Sequence, residues 1–456
     1  MRILVVGGGM GGTIFANHLA RRIHHEMKTG KARITMLSAS HEHVYQPGWL
    51  YVAMGRATPD ELVREQESLL EPGIEFHVDP VEEFHLAQNH VKCKSGKVHE
   101  YDLIVISTGS RAMPENIPGL KENSVNCYTA DNAVEYYKQL SEFKGGRIVI
   151  TVGLPHKCPM IPLEVTFAMY DFIKDRGLLD KTEFYYTYPI GRVHSLENVA
   201  KWAAPEFDAK GIKYETLFNM KEVDGKNAKV LSEEGSEVAY DLLVAVPPHK
   251  GQEVIEKNGL GENGWIPTNR HSLHMEGEHG KNVIVLGDTT NLPISKAGST
   301  AHFEAETAAE NVAAVAKMGR PVKSYDGKVF CFIEAGKDRA TYAMFDYQNP
   351  PQPKAPTGSV HAFKMAYNKL YWAIARGLLR GGDLWQPYST VAKRTNCSRR
   401  SRLCCTCSTT VIWSALCIWP ASWGPPPTPC PTRWWDGWRK SPPAVWTWWT
   451  GWSAPI

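Results

Sequence analysis

The sequence predicts an α/β fold with two Rossmann-like dinucleotide-binding units, the first of them discontinuous, and a C-terminal helical segment. Three patterns predict it. A glycine-rich turn follows the first apolar strand, a second strand–turn–helix spans residues 147–164, and a late strand at 282–288 ends in Gly-Asp. A chain of 456 residues suits roughly two to three domains.

The first of these patterns is the most specific. The strand RILVVGGG leads into Gly7, Gly9 and Gly12 at GxGxxG spacing, and the helix TIFANHLARRI follows. Gly7 permits a tight turn, Gly9 lets the backbone approach a pyrophosphate, and Gly12 lets helix and strand pack closely. The helix N-terminus adds N–H groups and the positive end of its dipole. The segment therefore predicts a dinucleotide site.

The second strand, ARITMLS, ends at Ser38, where such folds commonly carry an acid for the ribose hydroxyls. A serine forms a weaker hydrogen bond than a carboxylate. Charge-assisted binding of NAD is therefore less expected than binding of FAD, which makes many other contacts.

The second strand–turn–helix lacks a glycine cradle. Its turn holds Gly153 alone, followed by two prolines that supply no N–H donors, with Cys158 between them. We expect this turn to be a poor nicotinamide site and to present the thiol of Cys158 to a flavin. An inert buried thiol is the alternative. Lys157 and His156 are candidates to lower the pKa of this thiol.

Further residues are expected beside the flavin. The aromatic loop at 41–55 carries Pro47, and a packed surface loop is the alternative interpretation. The strand YDLIVISTGS ends in Thr108 and Gly109. Later expected contacts are Gly287 and Asp288 at a strand end, Lys296, and the N-terminus of a helix near 299–317.

Composition excludes several classes of protein. A net charge of +3 is too small to indicate nucleic-acid binding, and no apolar run is long enough to span a membrane. Before residue 390 the only cysteines are Cys93, Cys127, Cys158 and Cys331, and no CxxC pair predicts a metal site. We expect a cytoplasmic chain without a secretory signal, free or attached peripherally to a membrane.

The segment 361–380 predicts an amphipathic helix. Phe363, Tyr367, Leu370, Tyr371, Ile374 and Leu378 share one stripe, and Lys364, Lys369, Arg376 and Arg380 are interleaved with it. Such a helix suits a membrane interface. A helix that covers the protein's own core is the equal alternative.

The last 62 residues, from about 395, differ from the rest in composition. They hold ten of the 15 tryptophans and six of the ten cysteines, and Asp436 is their one acidic residue. A shifted reading frame and a disordered tail are our hypothesis. The expected domains are 1–112 with 275–325 for FAD, 113–274 for the second Rossmann-like unit, 326–394 for the cysteine strand and helix, and the tail 395–456.

These motifs resemble sulfide:quinone oxidoreductases, within the flavoproteins that have two dinucleotide-binding domains. The resemblance covers residues 1–385 and is carried by GGGMGG, YQPGWLYVAMG, STGS, KCPMIPLE, the Gly-Asp strand end, KAG at 296–298 and VFCF. It implies FAD as the cofactor, sulfide and a quinone as substrates, and peripheral attachment to the cytoplasmic membrane through the C-terminal helix. A homo-oligomer is a further expectation.

The resemblance also assigns the chemistry. It implies that Cys158 and Cys331 are the redox-active pair and that Cys127 is near a third cysteine of some members, while His194 is only a loose match to a family histidine. Three alternatives stay open: a type II NADH dehydrogenase, a sulfide dehydrogenase that passes electrons to a cytochrome, and an inactive flavoprotein. The first would need a second glycine-rich turn, and the second would need an export signal, which we do not expect in this sequence.

Overall fold

The structure, a computed structural model, describes residues 1–379. Two parallel sheets form its centre, as the sequence predicts. The first has the strand order Val283–Val285, Leu103–Ile106, Arg2–Val6, Arg33–Ser38 and Ile74–Val78. The second has the order Lys213–Thr216, Thr182–Tyr188, Gly146–Val152 and Leu242–Val246.

Smaller antiparallel elements and helices complete the described chain. One three-stranded sheet consists of Val81–His85, His90–Cys93 and Val98–Glu100, and a second consists of Met220–Asp224, Lys229–Ser232 and Glu237–Ala239. Three further pairs of strands are Val329–Glu334 with Ala340–Phe345, Ser110–Ala112 with His249–Gly251, and Glu42–Val44 with Val63–Glu65. The helices are Met10–Arg22, His24–Lys28, Trp49–Ala53, Gln66–Leu69, Leu120–Asn123, Ala130–Glu142, Ile161–Asp175, Glu197–Lys210, Glu253–Lys257, Gly298–Met318 and Gly358–Ala375.

The first sheet is assembled from distant parts of the chain. Val283–Val285 pairs in parallel with Leu103–Ile106, which pairs with Arg2–Val6. These strands are short apolar runs, and such runs form parallel strands that are buried on both faces. Helix Met10–Arg22 packs against Gly298–Met318, and both contribute to one hydrophobic core. The late strand therefore returns to the first sheet, while the exact domain boundaries stay a prediction.

The C-terminal helix differs in part from its prediction. It begins at Gly358, where the Thr357 side chain accepts a hydrogen bond from the backbone N–H of Val360. Tyr371 and Ile374 are buried against the core, but Leu370 and Leu378 of the same predicted stripe are exposed. The helix thus covers the protein's own core with one face.

Lys364 was predicted to be one of the basic residues of an interfacial helix, and this was wrong. Its side chain is buried and ion-paired with Glu164 and Glu334. Among residues 1–379, no helix is both long and apolar enough to cross a bilayer. Arg380 and the tail lie outside the described residues.

Candidate active site

A cavity of about 590 Å³ opens at the carboxyl ends of the strands of the first sheet. Gly7, Ser38, Ser107 and Gly287, each at or just beyond the end of a different strand, line it. Open α/β sheets bind their ligands at this edge. The predicted site residues on its wall are Gly7, Gly9, Ser38, Pro47, Thr108, Gly109, Cys127, Cys158, Gly287, Asp288 and Lys296.

Gly12 and Cys331 are the two predicted site residues that do not line this cavity. A Cβ atom at Gly12 would lie 2.1 Å from the Gly7 carbonyl oxygen, so Gly12 serves the packing of helix against turn. Gly7 has a φ of +113°, and a Cβ there would meet the Ser107 carbonyl oxygen at 2.2 Å. Gly9 faces open space, which leaves the backbone accessible to a phosphate.

The glycine turn is held by residues that the sequence did not predict. His43 Nδ1 lies 2.9 Å from both the Gly8 carbonyl oxygen and Gln66 Oε1. Because both partners are acceptors, Nδ1 carries the proton, and Nε2 accepts a hydrogen bond of 2.6 Å from the Tyr371 hydroxyl. Burial lowers the pKa of His43, which keeps the imidazole neutral. The C-terminal helix is thereby fixed to the turn.

The expected acid of the second strand is replaced nearby. Ser38 lies on the cavity wall, and its hydroxyl oxygen accepts a hydrogen bond from the Ser40 N–H at 3.3 Å. Glu42 lines the cavity four residues beyond Ser38. Glu42 was not predicted from the sequence, because the motif places its acid directly at the end of the strand.

Cys158 occupies a left-handed backbone conformation, with a φ of +54°. This region is unfavourable for residues other than glycine by about 1–2 kcal/mol. Its N–H donates to the Lys296 carbonyl at 2.7 Å, and His194 Nε2 lies 2.8 Å from the carbonyl oxygen of the next residue, Pro159. Contacts to two distant segments therefore hold the thiol on the cavity wall.

Cys331 reaches the same region from the strand Val329–Glu334. A hydrogen bond with the Ser299 side chain favours its thiolate, and Ser299 lies three residues after Lys296, which binds Cys158. Burial raises the pKa of Cys331 well above its ordinary value and a charge on Cys158 raises it further, and Cys158 packs against the hydrophobic cluster that contains Cys331. Burial raises the pKa of Cys127 to about 12, and the charge of Cys158 raises it further. The three predicted cysteines therefore form one group, while buried Cys93 lies in another core cluster.

Burial dominates the ionisation of these thiols. It raises the pKa of Cys158 to about 12, with a further increase from Glu164. Hydrogen bonds from the backbone at Ile161 and Met160, at the start of a helix, act in the opposite direction, as does the charge of Lys364. The thiol therefore needs a local proton acceptor before it can react as a thiolate.

The predicted activation of Cys158 by its sequence neighbours was wrong. Lys157 Nζ donates to Gln46 Oε1 at 2.7 Å and lies over the ring of Tyr128. Burial lowers the pKa of His156 to about 4, so this side chain is neutral at physiological pH. The cation that acts on Cys158 is Lys364, from the C-terminal helix.

Asp288 and Lys296 lie on the cavity wall with partners of their own. Asp288 Oδ2 accepts from the Ser110 hydroxyl at 2.8 Å, and Lys296 Nζ donates to the Thr290 carbonyl at 2.6 Å. Burial lowers the pKa of Lys296. Both side chains are oriented by these contacts.

Glu304 lies behind the Gly287 turn and is completely buried. One carboxyl oxygen accepts from the Gly287 N–H at 2.5 Å, and the other has no hydrogen-bond partner among the described residues. Burial raises the pKa of Glu304 to about 8. The side chain is therefore protonated over most of the neutral range.

Glu304→Gln is expected to raise the midpoint of thermal unfolding above pH 8 by roughly 2–4 °C. The folded pKa of about 8 exceeds the ordinary 4.5. Folding therefore favours the protonated group, and stability is lost as the pH rises through this interval. Calorimetry across this pH range measures the effect. Glu276→Gln, at an exposed position, is the matched control. A difference in unfolding midpoint between Glu304→Gln and the wild type that does not change with pH would contradict the prediction.

A cavity that fits a dinucleotide and carries thiols on its wall is typical of redox enzymes in which the dinucleotide exchanges electrons with cysteines. A family model described as pyridine nucleotide-disulphide oxidoreductase matches residues 1–319. The chain belongs to this family.

Comparison with individual proteins narrows the similarity within this family. It is 26% identical over 369 residues to the mitochondrial sulfide:quinone oxidoreductase of Mus musculus, covering 78% of this chain and 80% of that protein. It is 25% identical to the sulfide-quinone reductase of Aquifex aeolicus over 408 residues, covering 82% and 91%. The crystal structure of the sulfide:quinone oxidoreductase of Aquifex aeolicus superposes with a TM-score of 0.73 at 22% identity, covering 87% and 95%. The resemblance predicted from the motifs is confirmed.

Proposed function

We propose that this chain oxidises sulfide to sulfane sulfur through Cys158 and Cys331, with FAD as cofactor and a membrane quinone as electron acceptor. One observation carries the proposal. The turn that would cradle a second dinucleotide instead presents Cys158 to the cavity of the first, and Cys158 packs against the hydrophobic cluster that contains a second thiol, Cys331, from a distant strand. The relatives named for sulfide and quinone support the choice of substrates.

The residues present fit FAD. The cavity of about 590 Å³ is lined by the glycine turn and by Cys158, Cys127 and Lys296. The open space at Gly9 suits a pyrophosphate, and Asp288 and Glu42 offer carboxylates to hydroxyl groups. Bound FAD supplies a two-electron acceptor for the cysteine pair and a donor to a second substrate.

The cysteines perform the sulfur chemistry. When Cys158 and Cys331 are joined as a disulfide, hydrosulfide attacks one sulfur and the S–S bond breaks. One cysteine then carries a persulfide and the other leaves as a thiolate, so that charge and atoms balance. The hydrogen bonds from the backbone at Met160 and Ile161 stabilise a thiolate at Cys158. The identity of the attacked sulfur stays open.

Attachment to a membrane is proposed for the C-terminal helix. Leu370 and Leu378 are exposed on Gly358–Ala375 and the turn after it, with 40% and 54% of their surface accessible. Exposed leucines on a helix that carries cations suit a bilayer interface, where the quinone is dissolved. We propose a peripheral association of this kind.

Anaerobic titration tests the function. Sulfide is expected to bleach the visible flavin absorption of the purified protein, while NADH leaves it unchanged, because the turn at Gly153 offers no second glycine cradle. Absorbance spectra recorded after each addition measure both reactions. Faster bleaching by NADH would favour a type II NADH dehydrogenase, and protein that purifies without a flavin chromophore would indicate an inactive relative.

A further inference from the structure

Four ionisable side chains form a continuous row beside the cysteines: Glu164, Lys364, Glu334 and His361. The Lys364 ammonium is bonded to Glu164 Oε1, and Lys364 Nζ lies 3.3 Å from Glu334 Oε1. The other oxygen of Glu334 lies 3.1 Å from His361 Nδ1. Each neighbouring pair is within the distance of an ion pair or a hydrogen bond.

The inner end of the row lies at the thiols. Helix Ile161–Asp175, which carries Glu164, begins three residues after Cys158. Glu164 Oε1 also accepts from the backbone N–H of Glu334 at 3.0 Å, in the strand that carries Cys331. Burial raises the pKa of both cysteines, and the charge of Glu164 raises it further.

The outer end reaches solvent. His361 Nε2 lies 3.6 Å from Asp338 Oδ1, and the Asp338 side chain is 78% exposed. The side-chain exposure falls to 14% at His361 and to 8% at Lys364. The row therefore runs from the region of the cysteines to the surface through side chains only.

The free-energy cost of burying such a row is high if its role is only structural. Burying ions costs several kcal/mol each, and apolar residues of similar volume are often as stable. The Tyr51 hydroxyl donates a further hydrogen bond of 3.2 Å to Glu334 Oε1. Every member can gain and lose a proton, and the proposed oxidation requires H₂S to lose a proton beside the cysteines.

We propose that Glu164, Lys364, Glu334 and His361 form a relay that carries a proton from H₂S at the cysteines to solvent. The proposal rests on the proposed function and deepens it. Glu164 takes one proton from H₂S, which becomes HS⁻, the nucleophile that attacks the disulfide. Lys364 then receives a proton from Glu164 as it gives one to Glu334, and His361 passes the proton from Glu334 to water. No electron moves in these steps, and the row returns to its initial state.

The ionisation of the two carboxyl groups suits these roles. Burial raises the pKa of Glu164, which makes its carboxylate a stronger base. Burial also acts on Glu334, but the hydrogen bond with His361 and the charge of Lys364 bring its pKa below the ordinary value. The proton on Glu334 is therefore released readily toward His361.

Replacement of His361 tests the relay. His361→Ala is expected to slow flavin reduction by H₂S roughly 100-fold in weak buffer, since the last proton carrier is lost. Added imidazole should restore most of the rate. His361→Gln keeps a hydrogen-bonding group beside Glu334, but its amide cannot gain or lose a proton near neutral pH, so this variant should be equally slow. Stopped-flow absorbance measures all three, and exposed His24→Ala is the matched control.

A second measurement needs no flavin. In flavin-free His361→Ala protein with the cysteine pair oxidised, where the proton cannot leave the row, infrared spectra should show a carboxyl group that becomes protonated on addition of H₂S, and adding Glu164→Gln should abolish this signal. His361 variants as fast as the wild type, or slow variants that imidazole does not restore, would overturn the relay and leave the sulfide assignment standing. A wild-type flavin that sulfide does not reduce would overturn both.

Discussion

Cys158→Ala is expected to lower the rate of flavin reduction by sulfide by roughly 10⁴-fold or more, as the loss of a residue that forms a covalent intermediate does, while FAD stays bound. Cys158 is held on the cavity wall by backbone contacts to Lys296, which alanine keeps. The substitution leaves the residues of the glycine turn unchanged. Anaerobic stopped-flow spectroscopy measures the rate, and the flavin-to-protein absorbance ratio measures binding.

Cys93→Ala is the matched control for this variant. Cys93 is as free of disulfide bonds as Cys158, but it is buried in a different cluster beside the first sheet. It should keep the full rate. Cys331→Ala should lose activity as Cys158→Ala does, because either loss prevents the disulfide. A Cys158→Ala protein that sulfide reduces at the wild-type rate would refute the thiol mechanism.

Lys364→Met is expected to lower the free energy of unfolding by about 3–5 kcal/mol, the usual result of removing one partner from a buried ion pair. The carboxyl groups of Glu164 and Glu334 would then face each other in the interior without a cation. They respond by binding protons, so the folded pKa values rise above the unfolded ones. The loss should therefore grow as the pH rises and shrink in acid.

Urea unfolding followed by circular dichroism at several pH values measures this loss. Exposed Lys354→Met is the control, since it removes the same charge without emptying a buried site, and its effect should stay within about 0.5 kcal/mol. A stable Lys364→Met protein at high pH would show that the cluster tolerates two unpaired carboxylates.

Much of the architecture followed from local patterns. The run RILVV and the three glycines predicted the first strand, turn and helix, because strand burial and glycine stereochemistry act within a dozen residues. The same reasoning placed the strand Gly146–Val152 and the cysteine turn after it. The pairing of Cys158 with Cys331 came from family resemblance, since their separation in the chain carries no signal.

The chain alone thus determined the two sheets, the glycine turn and a thiol in place of a second nucleotide cradle. Tertiary structure decided what surrounds that thiol. Lys364 meets Glu164 across 200 residues, and Tyr371 meets His43 across 328. Lys157, next to Cys158 in the chain, points elsewhere. Charges act through space and at short range in a buried site, so their partners become known only when distant segments pack together.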